Sequence, residues 1–206
     1  MGSHSALSAE IKKHVSIPVA TVGRITEPWR AEELIRPCIG CLRCLNGIMF
    51  GKRVACTVNP SLEPENEDTI TPAKETKNVL VIGGGPAGME AAYVAAKRGH
   101  HVVLADRQDS LGGTVRIAAV PIAKQDLTQL IKYQAHKLEQ AGVKVLLNTE
   151  VTLETIQKDY PDYEVILCAG ATPVVPQFMT QFKDWMTADD VLYGRKFPGR
   201  KIVVIG

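Results

Sequence analysis

Three observations predict a doubly wound α/β fold built on a mainly parallel sheet. From Asn78 onward, short apolar runs of strand length alternate with longer stretches whose apolar residues recur at helical spacing. A glycine-rich string directly follows the first of these runs and opens the first helical stretch. The 206 residues are 45% hydrophobic and 22% charged, the balance of a globular chain rather than a disordered one.

The elements follow in order. Asn78-Val79-Leu80-Val81-Ile82 reads as a buried strand, Pro86 to Arg98 as an alanine-rich helix, and His101-Val102-Val103-Leu104-Ala105 as a second strand. Leu127, Leu130, Ile131, Ala135 and Leu138 mark a helix over Asp126 to Gln140, which Gly142 stops. Val143 to Leu147, Val165 to Cys168 and Lys201 to Ile205 complete the strand candidates. Strands separated by helices require parallel pairing, because only a crossover element returns the chain to the same end of the sheet.

Length at about 150 residues per domain leaves room for one full unit and a smaller piece. Met1 to Ser5 resembles a tag remnant and is set aside. Residues 6–35 hold one strand-helix unit: Ile17 to Val22 ends at Gly23-Arg24, and Glu27 to Ile35 carries Pro28 near its first turn. A cysteine segment occupies 36–60, a linker without periodicity 61–77, and the dinucleotide-type domain 78–206.

Charge narrows the function. With 24 basic against 22 acidic residues, interspersed along the chain, there is no basic field for nucleic acid or an anionic membrane surface. The longest apolar runs fall far short of the ~20 residues that span a bilayer. Four of the five cysteines crowd into Cys38 to Cys56, a poor layout for a secreted disulfide framework, so a reducing, cytoplasmic setting is expected.

The string Gly83-Gly84-Gly85-Pro86-Ala87-Gly88 fits G-x-G-x-x-G and sits between strand and helix. There Gly83 permits the tight turn, Gly85 lets a diphosphate approach the backbone, Gly88 lets helix and strand pack closely, and the helix end supplies free N–H groups. Asp106, at the end of the second strand, is placed to accept from a ribose hydroxyl and argues against a 2′-phosphate, although Arg107 beside it tempers that. Gly112-Gly113 could bring another stretch of backbone to the same nucleotide. The bland alternative is a tight turn in a packed domain with Asp106 capping a loop.

Cys38, Cys41, Cys44 and Cys56 are spaced C-x2-C-x2-C-x11-C. Two successive two-residue gaps wrap a short loop around one corner of a cubane, and a fourth thiolate closes it, which favours a 4Fe-4S cluster. Structural zinc, which prefers two separated C-x2-C units, and unrelated buried thiols remain open. Arg36, Arg43, Lys52 and Arg53 are placed to offset the cluster's negative charge or to be solvated. Cys168, in an apolar run, reads as an inert core thiol, and the histidines form no ligand pattern.

Together these residues resemble the iron-sulfur flavoenzymes of the old yellow enzyme family, the group containing 2,4-dienoyl-CoA reductase and trimethylamine dehydrogenase. Arg36-Pro37-Cys38-Ile39-Gly40-Cys41, Cys44, Cys56 and Val58-Asn59-Pro60 match its cluster segment. Gly83 to Gly88, Asp106, Leu111-Gly112-Gly113 and Ala169-Gly170-Ala171-Thr172-Pro173 match its Rossmann-like domain for FAD or, in some members, ADP. Ile17 to Ile25 looks like a late strand of its FMN-binding TIM barrel, which would put Gly23 and Arg24 at the FMN phosphate.

The resemblance implies an enzyme that passes electrons from NAD(P)H through FAD and a 4Fe-4S cluster to FMN, and thence to an activated alkene such as an enoyl-CoA. It also implies that most of the barrel, with its catalytic acid and substrate site, and the NAD(P)H domain that begins after Ile202-Val203-Val204-Ile205-Gly206 lie outside this chain. No catalytic residue is therefore assigned. The partners expected are a small-molecule substrate and those domains, or an electron-transfer flavoprotein. Two other readings stay open: an amine-dehydrogenase-like protein holding ADP, and a non-catalytic zinc-stapled nucleotide-binding module.

Overall fold

In a computed structural model, residues 36–59, 62 and 70–205 are described. The strand-helix reading of residues 6–35, with Gly23 and Arg24, lies outside them, as does most of the linker's first half. The sheet has four strands among the described residues: β1 (Asn78–Ile82), β2 (His101–Ala105), β3 (Lys144–Leu146) and β4 (Tyr163–Leu167). Their order is β3-β2-β1-β4 and every pairing is parallel. Val79, Leu80 and Val81 of the central strand are buried, as an unbroken aliphatic run in a parallel sheet should be.

Helices cover both faces, which is what doubly wound means physically. The helices in chain order are α1 (Arg43–Met49), α2 (Pro86–Lys97), α3 (Val115–Ala118), α4 (Leu127–Gln140), α5 (Leu153–Asp159) and α6 (Ala188–Leu192). Because strand side chains alternate, Val79, Val81, Val102 and Leu104 face one side and pack with Met89, Ala92 and Ala95 of α2 and Leu138 of α4. Leu80, Val103 and Ala105 face the other, against Ile156 of α5, Tyr160 and Tyr163. The last two rings meet edge to face, 5.0 Å apart.

Helix limits follow local chemistry. Pro86 occupies the first position of α2, where its missing N–H is harmless, and Gly142, at φ 70°, turns the chain out of α4. Thr152 caps α5 through Thr155 N–H, and Thr187 with Asp190 forms a reciprocal capping box on α6. The Thr187-x-x-Asp190 spacing is the sequence signal for that helix, which the apolar pattern misses because α6 buries no residue fully. No helix among the described residues is long and apolar enough to cross a membrane.

Two expectations are corrected. The run Lys201 to Ile205 is not a strand: Ile202 to Ile205 are exposed and have no strand beside them among the described residues. β-propensity alone does not make a strand, since its backbone groups need a partner ladder. The loop expected after Cys41 is instead helical from Arg43, entered through Leu42 in a left-handed conformation (φ 58°).

Leu138 is fully buried between α4 and the sheet, whereas Ile122 is 94% exposed. Leu138→Ala should lower unfolding free energy in urea by about 2–5 kcal/mol. Ile122→Ala should change it by less than about 0.5 kcal/mol in the same experiment.

Candidate functional site

The chain runs from β1 through β2 to β3 in one direction and then places β4 on the far side of β1. Strand order therefore reverses between β1 and β4, and outside the carboxyl ends of the strands at such a reversal is where open α/β sheets take ligands. The glycine-rich turn lies at that point. Cys168 N–H donates to Ile82 O at 2.7 Å and Gly83 N–H to Ala105 O at 2.8 Å, so the ends of β4, β1 and β2 are tied together.

Space then dictates residue type. Gly83 stands at φ 111°, a conformation that L side chains rarely adopt, and a Cβ there would overlap the Cys168 carbonyl oxygen. A Cβ on Gly88 would overlap the Gly83 carbonyl oxygen. Gly85 differs: a Cβ would meet nothing within 4 Å, so its glycine is not demanded by protein contacts and its backbone faces open space. The first helical bond of α2 runs from Met89 N–H to Gly85 O, 2.9 Å, which leaves the N–H groups of Ala87 and Gly88 without a helical acceptor. An open backbone face beside a helix's positive end is a cradle for a diphosphate.

Asp106 is buried, and both of its oxygens are engaged. One accepts from Gly84 N–H and the other from Gln108 N–H at 2.7 Å. The carboxylate therefore braces the turn from β2, a role the sequence reading did not foresee, and each oxygen keeps a lone pair for a further donor such as a sugar hydroxyl. Gly112 N–H donates to Gly84 O at 2.8 Å, and a Cβ on Gly113 would lie 3.1 Å from Gly85 Cα. The second glycine pair thus sits on the first turn, while Arg107 is exposed to solvent. Cys168 is half-buried at the edge of the core, and its carbonyl completes the turn's floor, a contribution without side-chain signal.

The cysteine segment folds locally. Gly47 of α1 is buried, Lys52 N–H donates to its carbonyl at 2.8 Å, and a Cβ there would stand 2.8 Å from Arg53 O. The arm carrying Cys56 is thereby laid back along α1, and Cys41 Sγ comes within 3.2 Å of Thr57 Oγ1. That hydrogen bond, with help from Arg43's backbone, holds the Cys41 thiol below its ordinary pKa, toward the thiolate that ligates metal.

Cys38, Cys41 and Cys44 are exposed and Cys56 half-buried, all four as free thiols. No group of three or more His, Cys, Asp or Glu residues is gathered for a metal among the described residues. Thiolates repel one another, and only the cation that neutralises them draws four together. The donor set fits a thiolate-ligated group: soft sulfur, solvent-accessible, with one thiol already biased toward ionisation.

Residues 78–138 match the family described as FAD dependent oxidoreductase. The chain is 35% identical to the bilirubin reductase of Mediterraneibacter gnavus over 98% of its own length and 37% of that protein. It is 31% identical to the N,N-dimethylglycine/sarcosine dehydrogenase of Chromohalobacter salexigens, over 96% of this chain and 35% of that one. Among solved structures, 2-naphthoyl-CoA reductase in complex with 2-naphthoyl-CoA superposes with a TM-score of 0.67 at 27% identity, covering 96% of this chain and 36% of that one. The chain thus spans little more than a third of each of these three relatives.

The spatial argument separates two glycines. Gly88→Ala should lower stability by at least ~2 kcal/mol, because backbone cannot yield to the new methyl. Gly85→Ala should stay within about 1 kcal/mol of the unsubstituted chain. Thermal unfolding of the two variants checks both.

Proposed function

We propose that the chain is the cluster-and-flavin portion of an NAD(P)H-dependent oxidoreductase of the old yellow enzyme type; in support, nearly all of its length aligns with about a third of a bilirubin reductase and of a 2-naphthoyl-CoA reductase. The observation that carries the reading is the open backbone face at Gly85, on a turn whose other glycines are fixed by packing. Packing does not explain that glycine; close approach of a diphosphate does.

On this reading the turn from Gly83 to Gly88, with Gly112 and Gly113 behind it, holds the diphosphate of FAD. Asp106 keeps Gly84 in place and offers its remaining lone pairs to the ribose. Cys38, Cys41, Cys44 and Cys56 hold a 4Fe-4S cluster. Bound there, the flavin supplies exchange between two-electron and one-electron chemistry, and the cluster one-electron storage. The chain's own residues bind and orient these groups, and the Cys168 carbonyl closes the floor of the turn under Gly83.

In the whole protein the reducing equivalents would come from NAD(P)H and pass to FMN in the barrel, with an activated alkene such as an enoyl-CoA as acceptor. The relative named as a complex with an aromatic acyl-CoA supports that substrate class. A second reading, in which ADP fills the nucleotide site and the cluster delivers electrons to a partner flavoprotein, is favoured by the similarity to an amine dehydrogenase. A cytoplasmic location goes with reduced cysteines. The remaining partners are the barrel and NAD(P)H-binding portions and the small-molecule substrate.

Anaerobic purification followed by metal and nucleotide analysis tests the proposal. Iron with acid-labile sulfide and a broad visible absorption that bleaches on dithionite are expected, and each single Cys→Ser change at 38, 41, 44 or 56 should lower bound iron. Stoichiometric zinc in place of iron would overturn the cluster. FAD on extraction supports the first reading and ADP the second. Gly85→Val should abolish nucleotide binding while iron content and fold are retained.

A further inference from the structure

We propose that Gln134 is a positioning residue for the nucleotide site, its side-chain amide fixing the first turn of α2 against α4 so that the glycine-rich turn presents its backbone correctly. The proposal rests on the nucleotide reading above and concerns a residue remote in sequence from the glycine motif. Gln134 lies on α4 and is only 8% exposed. Its Nε2 donates to the Pro86 carbonyl at 3.2 Å. Pro86 is the first residue of α2 and directly follows Gly85.

Stability does not account for this side chain. Within α2 the Pro86 carbonyl is already the acceptor for the N–H four residues on, so Gln134 is a second donor to a satisfied oxygen. Gln134 Oε1, meanwhile, is buried with no hydrogen-bond partner. Leaving a buried amide oxygen unpaired is destabilising, and a leucine or methionine would fill the helix interface without that penalty. What the amide adds over an apolar side chain is direction: it sets how far α2 can slide along α4, which ridge-and-groove packing alone leaves loose.

The rest of α4 places the same end of the sheet. Ile131, one turn earlier, reaches within 2.6 Å of where a Cβ on Gly112 would stand, and Gly112 is hydrogen-bonded to Gly84. One turn later, Lys137 is 7% exposed, lies 3.4 Å from the Glu90 carboxylate and sits 3.6 Å above the Tyr93 ring, both on α2. Between these contacts Gln134 bonds to Pro86, the residue that directly follows Gly85. The structure thus makes α4 a gauge that aligns both glycine pairs, with Gln134 the point at which it touches the cradle's helix.

Nucleotide-free protein should be titrated with ADP by calorimetry and its melting temperature recorded. Gln134→Met preserves length and apolar volume while removing both the donor and the orphaned oxygen. It should leave the melting temperature unchanged or raised, yet weaken ADP binding roughly three- to tenfold. Gln134→Asn keeps an amide one methylene too short to reach Pro86 and should weaken ADP to a similar extent. Unchanged ADP affinity in the two variants overturns the assignment. A lowered melting temperature with unchanged affinity, or failure of both variants to fold, makes Gln134 a packing residue and overturns it too. If the unsubstituted chain binds neither ADP nor FAD, the nucleotide reading itself fails, and this proposal falls with it.

Discussion

The approach of three backbone segments at the carboxyl end of β1 is the constraint on which the rest of the structure depends. Gly83 lies against the carbonyl of Cys168, and Gly88 against the carbonyl of Gly83, each with no room for a methyl group. This closeness lets α2 begin directly at the strand's end and lie flat on the sheet, where Met89, Ala92 and Ala95 join the core. It also fixes β4 beside β1, which creates the reversal of strand order at which open α/β sheets take ligands. Core, topology and site therefore share one steric cause.

Polar contacts refine what the steric constraint establishes. Asp106 carries the end of β2 to the turn through Gly84 N–H, and Gly112 brings the next loop to the carbonyl of the same residue. Gly84 is thus held by both of its backbone groups although the motif leaves its position unspecified. A Cβ there would stand 2.7 Å from Leu111 and 2.9 Å from the Asp106 carboxylate, so residue type at this site answers to tertiary neighbours and not to the turn's dihedral angles. The outcome is a rigid cradle with one open face, at Gly85, and preorganisation of that kind lowers the ordering cost of binding.

The cysteine segment is organised on a different principle. It has little apolar core of its own: Gly47 is its buried residue, while Leu42, Ile48, Met49 and Phe50 are all largely exposed. What order it has comes from local hydrogen bonds and from the close pass of Arg53 over Gly47. On the proposed reading a bound metal group would complete its arrangement, because metal coordination supplies free energy that apolar burial here does not. The nucleotide domain, by contrast, is complete in its contacts around the turn without any ligand.

Much of this was legible in the residues. The periodicity from Asn78 to Leu167 located β1 to β4 and the two long helices to within a few positions, because the buried strands β1 and β2 and the amphipathic helices write their burial into the apolar pattern, while β3 and β4 carry short apolar runs of strand length although they are only partly buried. Gly83, Gly85, Gly88 and Asp106 could be singled out because the G-x-G-x-x-G pattern between strand and helix, with an acid at the end of the next strand, restricts residue type. Other features were decided by folding. Gly84's two backbone ties, the Cys168 carbonyl under Gly83 and the Gln134 amide at Pro86 join residues 22 to 85 positions apart, and backbone groups carry no residue-specific signal. The apolar run at Ile202 to Ile205 shows the converse: a strand pattern without a partner ladder stays extended and exposed. Sequence by itself determined which segments bury apolar surface and where backbone must pass without side chains, since both are properties of residue type. Tertiary structure alone decided which of those segments meet, since hydrogen bonds and close contacts between distant parts of a chain exist only once the sheet has formed.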